Sequence, residues 1–314
     1  MIFDRLCITE KPNAAFKPFI NKKGRKLNRQ NSDMREVHRA FLAFLKIQDI
    51  HMPSAYGTGG KARNLWHRFL QHRDKDTGKF QKEWYILDLA DAYGHVNMEK
   101  LVGVILLTCD NELRRRSDDL LAFLMRHCSS TREKGLIQGA TSSSFLFNLY
   151  LDELVDIPLE RFCKAHGVTY TRYYDDFAFS GQKGTLLSHR RGKLIRKGIR
   201  KILIKAGFEI NHLKSKCFDL TKKPTKVNGV LLDYYGRISL PRPVIKKMSG
   251  LLHRFVHGKH LSSFVVDGNL GRVQDIHDIL EPTCCIEQRL LILYLEYYHH
   301  RFRGRVRTRQ DDPF

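Results

Sequence analysis

The chain has 314 residues, of which 42% are hydrophobic, and this proportion excludes a disordered protein and allows a sizeable core. Lysine and arginine outnumber aspartate and glutamate by 55 to 33, which gives a formal net charge of +22. Because such a surplus repels itself unless a polyanion binds, the charge predicts a nucleic-acid partner and argues against a neutral partner.

The N-terminal part of the chain is mixed and basic. The stretch from Lys17 to Arg29 predicts a strand, a turn with Gly24 near its tip and a second strand. We expect Ser32 to cap the helix that follows. The apolar face of that helix contains Met34, Val37, Phe41, Leu42 and Leu45.

The middle of the chain predicts an α+β unit. The continuous apolar run in "WYILDLADAY", which ends in charge at Asp88, is typical of a central strand that is buried on both faces. Residues 98–128 predict two helices with a break near Cys109. A long helix is expected from about Ser142 to His166.

The segment "VTYTRYYDDFAFSG" predicts two short strands that form a hairpin with Asp175 and Asp176 at its tip. A basic helix is expected over residues 186–206, and "KVNGVLLDYYGRISL" predicts another hairpin. From Pro241 to the end the pattern is helical and closes on the basic "HHRFRGRVRTR".

The remaining composition limits the compartment and the class of site. The seven cysteines are irregularly spaced without a Cys-x-x-Cys pair, which favours reduced thiols in a cytoplasmic protein over disulfides or a zinc site. The stretch "MIFDRLCITEKPNAAF" lacks the apolar h-region of a signal peptide, so we expect no signal peptide. The sequence has no apolar run of about 18 residues, so we expect no membrane-spanning helix. An anionic membrane surface is the alternative polyanion. It favours one basic amphipathic helix, whereas the charge here is spread along the chain, so we expect no membrane partner.

Three acids, Asp88, Asp175 and Asp176, each end or interrupt an apolar strand. If the strand of Asp88 lies beside the hairpin, the three carboxylates converge at one edge of a sheet. Converged carboxylates favour hard cations, and Mg²⁺ prefers oxygen ligands. Two such ions about 3.5–4 Å apart would support phosphoryl transfer. The alternative is a solvated Asp-Asp turn without chemistry.

Five segments, in order, resemble the motifs of bacterial retron-type reverse transcriptases. "RYYDDFAFS" resembles their Tyr-x-Asp-Asp motif, and "LDLADAYGHV" resembles their first palm motif. "GLIQGATSSSFLFNLYLDEL", "GFEINHLKSK" and "KVNGVLL" resemble the elements that open the long palm helix, follow the hairpin and precede the thumb. The resemblance covers about residues 15–280. Ser144 stands where the family usually has proline, and such departures leave room for phage-defence and abortive-infection reverse transcriptases.

The resemblance implies roles in chemistry for the acids and their neighbours. Asp88 and Asp175, assisted by Asp176 and by the carbonyl of Leu89, would hold two Mg²⁺ ions, with Mn²⁺ as another candidate metal. Lys214 would approach the triphosphate and protonate the departing pyrophosphate. Its alternative is a solvated surface lysine.

The resemblance also implies residues that bind nucleotide and nucleic acid. Tyr93 would clash with a 2′-hydroxyl and so select deoxynucleotides, unless it is an ordinary core tyrosine. Gln138 and Gly139 would let the backbone approach the nucleotide and template closely. The basic residues expected to contact the triphosphate and template are Lys22, Lys23, Arg25 and Arg29. Those expected to bind RNA in the C-terminal tail are Arg301, Arg303, Arg305, Arg307 and Arg309.

The implied architecture is an α+β right-hand polymerase. Its fingers would lie at residues 1–87, its palm at 88–240 with a helical fingers insertion at about 101–135, and its helical thumb and basic tail at 241–314. The implied activity is RNA-directed DNA synthesis from deoxynucleotides on a dedicated structured non-coding RNA, with a DNA product. Phage defence and an effector or toxin partner follow from the family alone. The alternatives are a template-independent or protein-primed DNA synthase and an RNA-binding protein with a retired active site.

Overall fold

The structure, a computed structural model, describes residues 16–20, 26–48, 50, 69–109, 111–129, 135–227, 230–239 and 242–243. No helix within these ranges is long and apolar enough to span a lipid bilayer. The chain separates into two compact units, one formed by residues 1–59 and 72–223 and the other by residues 60–71 and 224–314. The division into fingers, palm and thumb remains a prediction.

The first unit begins with the expected hairpin and helix. Strands β1 (Phe16–Ile20) and β2 (Lys26–Gln30) pair antiparallel, and helix α1 (Ser32–Ile47) follows. The predicted cap at Ser32 is wrong. The side chain of Asn31 accepts a hydrogen bond from the Met34 amide, and Ser32 is the first residue of the helix. Both residue types suit this position, so the sequence alone did not separate them.

An antiparallel sheet organises the first unit. Its strands are β3 (Glu83–Ala90), β4 (Val168–Tyr173), β5 (Asp176–Gly181), β6 (Glu209–Ile210) and β7 (Lys216–Asp219). The order is β4-β5-β3-β6, and β7 also pairs with β3. β3 therefore has neighbours on both sides, and its side chains from Glu83 to Leu89 are all buried, as the continuous apolar run predicted.

The helices of this unit are α2 (Met98–Thr108), α3 (Asn111–Arg115), α4 (Ser117–Phe123), α5 (Ser143–Leu151), α6 (Ile157–Ala165) and α7 (Arg191–Lys205). The predicted break near Cys109 is present, and a second break separates α3 from α4. π-Helical segments follow α4 at Leu124–Cys128 and α5 at Asp152–Asp156. The expected long helix thus runs as α5, a π-helical segment and α6.

The two faces of the sheet have different environments. Tyr85, Leu87 and Leu89 belong to the main hydrophobic core with Phe177 and Phe179. The alternating residues of β3, which include Asp88, point to the other face because side chains alternate along a strand. Helices α5 to α7 contribute buried side chains to the same core, so they cover the first face.

The second unit contains the predicted segment at residues 226–240 as three short strands. These are β8 (Thr225–Val227), β9 (Val230–Leu232) and β10 (Ile238–Ser239), in the order β10-β9-β8 with antiparallel pairing. The single predicted hairpin is therefore two successive hairpins. The predicted thumb helices and the C-terminal tail lie outside the described residues.

Candidate active site

The register of β3 and β5 brings the predicted carboxylates to one edge of the sheet. Asp88 lies directly opposite Asp176, and Asp175 precedes Asp176 in the tight turn after β4. Tyr174, at the start of this turn, has a positive φ of 52°, which is uncommon for a residue with a side chain. The Leu89 amide donates a hydrogen bond to the Asp175 carbonyl at 3.3 Å. The expected convergence of strand and hairpin is therefore present.

The close approach of these acids changes their electrostatics. Burial raises the pKa of Asp176 to about 7, and the negative charges of Asp175 and Asp88 add to the rise. Asp88 is buried, and its Oδ2 accepts a hydrogen bond from Asn211 Nδ2 at 3.2 Å. Lys214 Nζ lies 3.2 Å from the same oxygen. The pair of carboxylates is thus held together at an electrostatic cost that a cation would reduce.

The chemistry of this donor set fits a hard cation. Carboxylate oxygens converge from two neighbouring strands, and burial and the neighbouring carboxylates raise the pKa of Asp176, so a hard cation would stabilise its charged form. Among the described residues, no group of three His, Cys, Asp or Glu side chains already has the arrangement to hold a metal ion. Asp88, Asp175 and Asp176 remain the candidate ligands, with the Leu89 carbonyl next to them in β3.

Tyr93 lies beside the carboxylates, after the end of β3. Its ring stacks on Phe147 of α5 with the centroids 4.5 Å apart, and its hydroxyl lies 3.4 Å from Ser144 Oγ. Burial raises the pKa of Tyr93 to about 12, and the negative charge of Asp175 contributes to the rise. The phenol is therefore neutral, half-buried and fixed by packing near the candidate metal ligands.

Gln138 and Gly139 join the hairpin of β1 and β2 to this region. The Gln138 carbonyl accepts a hydrogen bond from the Asn28 amide at 3.0 Å. Gly139 has φ +102°, and a Cβ there would lie 2.6 Å from the Asn28 carbonyl oxygen. Only glycine meets both demands, so the predicted need for a close backbone approach is explained by the hairpin itself.

Of the basic residues predicted to act in the hairpin, the structure describes Arg29. Arg29 is exposed, and its guanidinium lies 5.2 Å from the centre of the Phe19 ring on the paired strand. Lys22, Lys23 and Arg25 lie outside the described residues, as do the five arginines from Arg301 to Arg309.

A buried ion pair supports the turn of the acids, and the sequence analysis assigned it no role. Arg172 and Asp156 are both fully buried, with Arg172 Nε 2.9 Å from Asp156 Oδ1 and Nη2 2.5 Å from Oδ2. Arg172 Nη1 also donates to Asn148 Oδ1 at 2.8 Å and to the Tyr174 carbonyl at 3.0 Å. The guanidinium thus connects the π-helical segment after α5 to the turn that carries Asp175.

The sequence contains a signal for one of these missed residues. Arg172 alternates with Tyr170 on the core side of β4, and a charge on that side requires a partner. Asp156 lies 16 positions away, so no local spacing identified it. The backbone amide of Asn211, in the segment "GFEINHLKSK", also donates a hydrogen bond to the backbone carbonyl of Asp88 at 2.9 Å.

Comparison with protein families gives one match that covers most of the chain. The family described as "Reverse transcriptase (RNA-dependent DNA polymerase)" matches residues 9–232. This range contains all five segments on which the resemblance was based and every candidate ligand.

Curated relatives and solved structures agree with this match. The chain is 25% identical to the retron Ec48 reverse transcriptase of Escherichia coli over 167 residues, which is 53% of this chain and 38% of that protein. It is 27% identical to the retron Ec86 reverse transcriptase of Escherichia coli over 174 residues, which is 55% of this chain and 49% of that protein. The matched regions thus span less than half the length of these relatives.

Among solved structures, apo telomerase from Candida tropicalis has a TM-score of 0.54 at 15% identity and covers 94% of this chain and 60% of that one. Telomerase from Candida tropicalis in complex with the TWJ fragment of telomeric RNA has a TM-score of 0.54 at 14% identity, over 92% of this chain and 53% of that one. At such identities the likeness concerns the fold alone, and it confirms the predicted α+β polymerase fold.

Proposed function

The chain belongs to the reverse transcriptase family, and from this premise we propose that it is an RNA-directed DNA polymerase. It would extend a primer 3′-hydroxyl with deoxynucleoside triphosphates on an RNA template. The observation that carries the proposal is the pairing of Asp88 with Asp176 across β3 and β5, with Asp175 next to it in the turn. This arrangement lies on the sheet face away from the main core, and the duplex would bind there.

Each residue of the site would have its own role in phosphoryl transfer. Asp88, Asp175 and Asp176 would hold Mg²⁺, which supplies activation of the attacking hydroxyl and charge stabilisation at the phosphate. Lys214, whose side chain is half-exposed beside Asp88, would move toward the triphosphate and act as a general acid. Tyr93 would exclude the 2′-hydroxyl of a ribonucleotide with a ring that packing holds in place.

The proposed template is a dedicated structured non-coding RNA. The net charge of +22 supports a long polyanion, because the active site itself needs only a few cations. The likeness to retron reverse transcriptases supports a role in phage defence with an effector protein as a further partner. A-form duplexes are bound through shape, phosphates and 2′-hydroxyls, so a basic surface suits such a ligand.

Primer extension tests the proposal. The purified protein is given a primed RNA template, deoxynucleotides and Mg²⁺, and we expect a DNA product whose sequence is complementary to the RNA. Asp88→Asn protein purified in parallel serves as the control for contaminating polymerase. A homopolymeric product made without RNA would instead identify a template-independent synthase. Tight RNA binding with no synthesis under any metal condition would identify an RNA-binding protein.

A further inference from the structure

Helix α7 carries a row of lysines along its outer side. Lys193, Lys197, Lys201 and Lys205 are each four residues apart, and all four are exposed. Residues four apart lie on the same side of a helix, with successive positions about 6 Å apart along the axis. The buried residues Ile195, Ile199 and Leu203 occupy the opposite side. The row therefore presents regularly spaced ammonium groups to solvent over the length of the helix.

The row has no compensating negative charge on its own helix. The sequence of α7, "RGKLIRKGIRKILIK", contains no acid, and none of the four lysines forms an ion pair with an acid within the described residues. Like charges four residues apart on a helix destabilise it. The helix thus retains a repulsive arrangement that a bound polyanion would relieve.

The arginines of α7 differ from the lysines because they serve the fold. Arg191 Nη2 donates to the His166 carbonyl at 3.2 Å, and Arg196 donates to the Leu186 carbonyl. Arg200 Nε donates to Tyr85 Oη at 3.1 Å. Structural roles therefore account for the arginines and leave the lysine row without one.

The row lies away from the candidate active site. Arg200 contacts Tyr85, which points to the core face of β3, whereas Asp88 points to the other face. The core and α7 itself lie between the sheet and the lysines. A primer-template duplex at Asp88 and a ligand on the lysine row would therefore occupy opposite sides of the first unit.

Nucleic acid fits this surface better than a membrane does. Two large apolar side chains of α7 are exposed, Leu194 at 68% and Ile204 at 63%. They are ten residues apart, about 15 Å along the helix, with the lysine row between them, so they form no continuous apolar stripe. A helix that lies in a bilayer needs such a stripe. A linear row of ammonium groups instead suits the linear array of phosphates along a nucleic-acid strand.

We propose that the lysine row of α7 is a second nucleic-acid surface, which binds the sugar–phosphate backbone of RNA on the side of the sheet opposite the candidate active site. The proposed function supplies only the identity of the polyanion. A structured RNA long enough to pass around the first unit would contact both sides. A short primed duplex would contact only the active-site side.

The test compares two quadruple variants with the parent. One changes the row, Lys193→Gln, Lys197→Gln, Lys201→Gln and Lys205→Gln. The other makes the same charge change at scattered exposed lysines, Lys46→Gln, Lys75→Gln, Lys183→Gln and Lys222→Gln. The probes are a long labelled RNA hairpin of arbitrary sequence and a short primed RNA-DNA duplex, and the dissociation constant of each is measured over a range of salt concentrations.

We expect the row variant to lower the slope of log Kd against log salt by about 3 units for the long hairpin, at roughly 0.7–0.9 per phosphate contact. The slope for the short duplex should stay at the parental value, and the scattered variant should change neither slope. Equal slopes in the parent and the row variant would overturn the proposal. An equal decrease of the slope for the long hairpin in the row variant and the scattered variant would overturn it too. Loss of binding to phosphatidylserine vesicles with unchanged RNA binding would assign the surface to lipid and also overturn it. Because these are binding measurements, a protein that fails in primer extension can still pass them.

Discussion

At the scale of single residues, Tyr93 has two candidate roles, core packing and selection against ribonucleotides, and the two roles predict different results for its variants. Its ring packs on Phe147, as a core tyrosine would, but it also borders the carboxylates. We expect Tyr93→Ala to raise the ratio of ribonucleotide to deoxynucleotide incorporation by about tenfold or more, because the clash with the 2′-hydroxyl disappears. A clash of about 1.4 kcal/mol corresponds to a factor of 10 in this ratio. The ratio of GTP to dGTP incorporation measures this change.

Tyr93→Phe is the control for that substitution. It keeps the ring and its stacking and loses only the contact of the hydroxyl with Ser144, so the selection against ribonucleotides should persist. A ratio that stays the same in the alanine variant would show that Tyr93 only packs the core.

Asp88→Asn should abolish synthesis and leave the fold intact. The change removes one negative charge next to Asp176, so repulsion falls and the free energy of unfolding stays equal or rises slightly. Primer extension and urea unfolding measure the two effects. Asp119→Asn, at an exposed acid paired with Arg116, is the control and should retain activity. Synthesis by the Asp88→Asn protein would exclude the proposed metal ligands.

At the scale of elements, the connection between the π-helical segment and the hairpin turn predicts separable effects on stability and activity. Asp156→Asn should destabilise the protein by about 3–5 kcal/mol, because it leaves the buried Arg172 without its counter-charge. The Tyr170 hydroxyl also donates to Asp156 Oδ1 at 2.6 Å. The variant Arg172→Met with Asp156→Leu and Tyr170→Phe therefore removes both charges and this hydroxyl together, and it should recover much of that loss. Urea unfolding gives both values.

The same triple variant should remain poor in catalysis. Arg172 no longer holds the Tyr174 carbonyl, so the turn loses a contact that places Asp175 and Asp176. We expect kcat to fall by about 10–100-fold with little change in KM for the deoxynucleotide, because loss of about 1.4–2.7 kcal/mol of positioning acts on the transition state. Recovery of kcat together with stability would mean that the ion pair only stabilises the fold.

Two buried histidines make the stability of the first unit dependent on pH. Burial lowers the pKa of His72 to about 3 and that of His38 to about 4. Both are neutral when folded and have an ordinary pKa near 6.5 when unfolded, so the stability is full above pH 6.5 and is lost as the pH falls toward those values. Each histidine contributes a slope of up to about 1.4 kcal/mol per pH unit in that window.

The contribution of His72 is best measured as the difference in pH dependence of stability between the parent and a His72 variant. Burial raises the pKa of Asp152 to about 6, and protonation of that group on acidification acts in the opposite direction. His72→Asn should therefore reduce the loss of unfolding free energy between pH 6.5 and pH 5 by about 2 kcal/mol relative to the parent. Identical pH slopes in the two proteins would show that His72 does not remain neutral in the folded state.

Patterns along the chain predicted some elements and not others, for physical reasons. The apolar run of β3 and the acid-tipped hairpin were predicted because burial and turn chemistry are local signals. The basic helix begins at Arg191, later than expected, because the Glu83 carboxylate accepts hydrogen bonds from the amides of Gly184, Leu186 and Leu187. Glu83 lies about a hundred positions away, and no local pattern reveals such a contact.

The candidate site shows the same division. The convergence of Asp88, Asp175 and Asp176 was predicted because each combines an apolar strand with a carboxylate and a motif. The pairing of Arg172 with Asp156 depends on how the long helix packs against β4, which the sequence does not encode in any spacing. The positions of the three acids at one sheet edge were thus predictable, whereas the residues that hold the turn in place were not, and the role of the acids in chemistry remains a prediction.

At the scale of the whole molecule, the charge of +22 predicts that nucleic acid accompanies the protein during purification. Sequencing that nucleic acid would identify the template, and a single transcript should dominate it. Neutralising Arg301, Arg303, Arg305, Arg307 and Arg309 together should lower the salt slope for that transcript by several units, at roughly 0.7–0.9 per contact. Extension of a generic primed template should change little. A protein that purifies free of nucleic acid and an unchanged slope would together exclude a dedicated RNA.

The contact between Gly139 and Asn28 limits the mutations that position 139 can accept. Every single-base change of a glycine codon that alters the amino acid introduces a Cβ, and at position 139 that atom would lie 2.6 Å from a carbonyl oxygen. No single-base change can therefore replace glycine at position 139 without displacing the hairpin. Gly184 also has a positive φ, but a Cβ added there would have no neighbour within 4 Å. A selection for activity from a saturation library should therefore return only glycine at 139, whereas at 184 it should also return asparagine and aspartate, which tolerate that backbone.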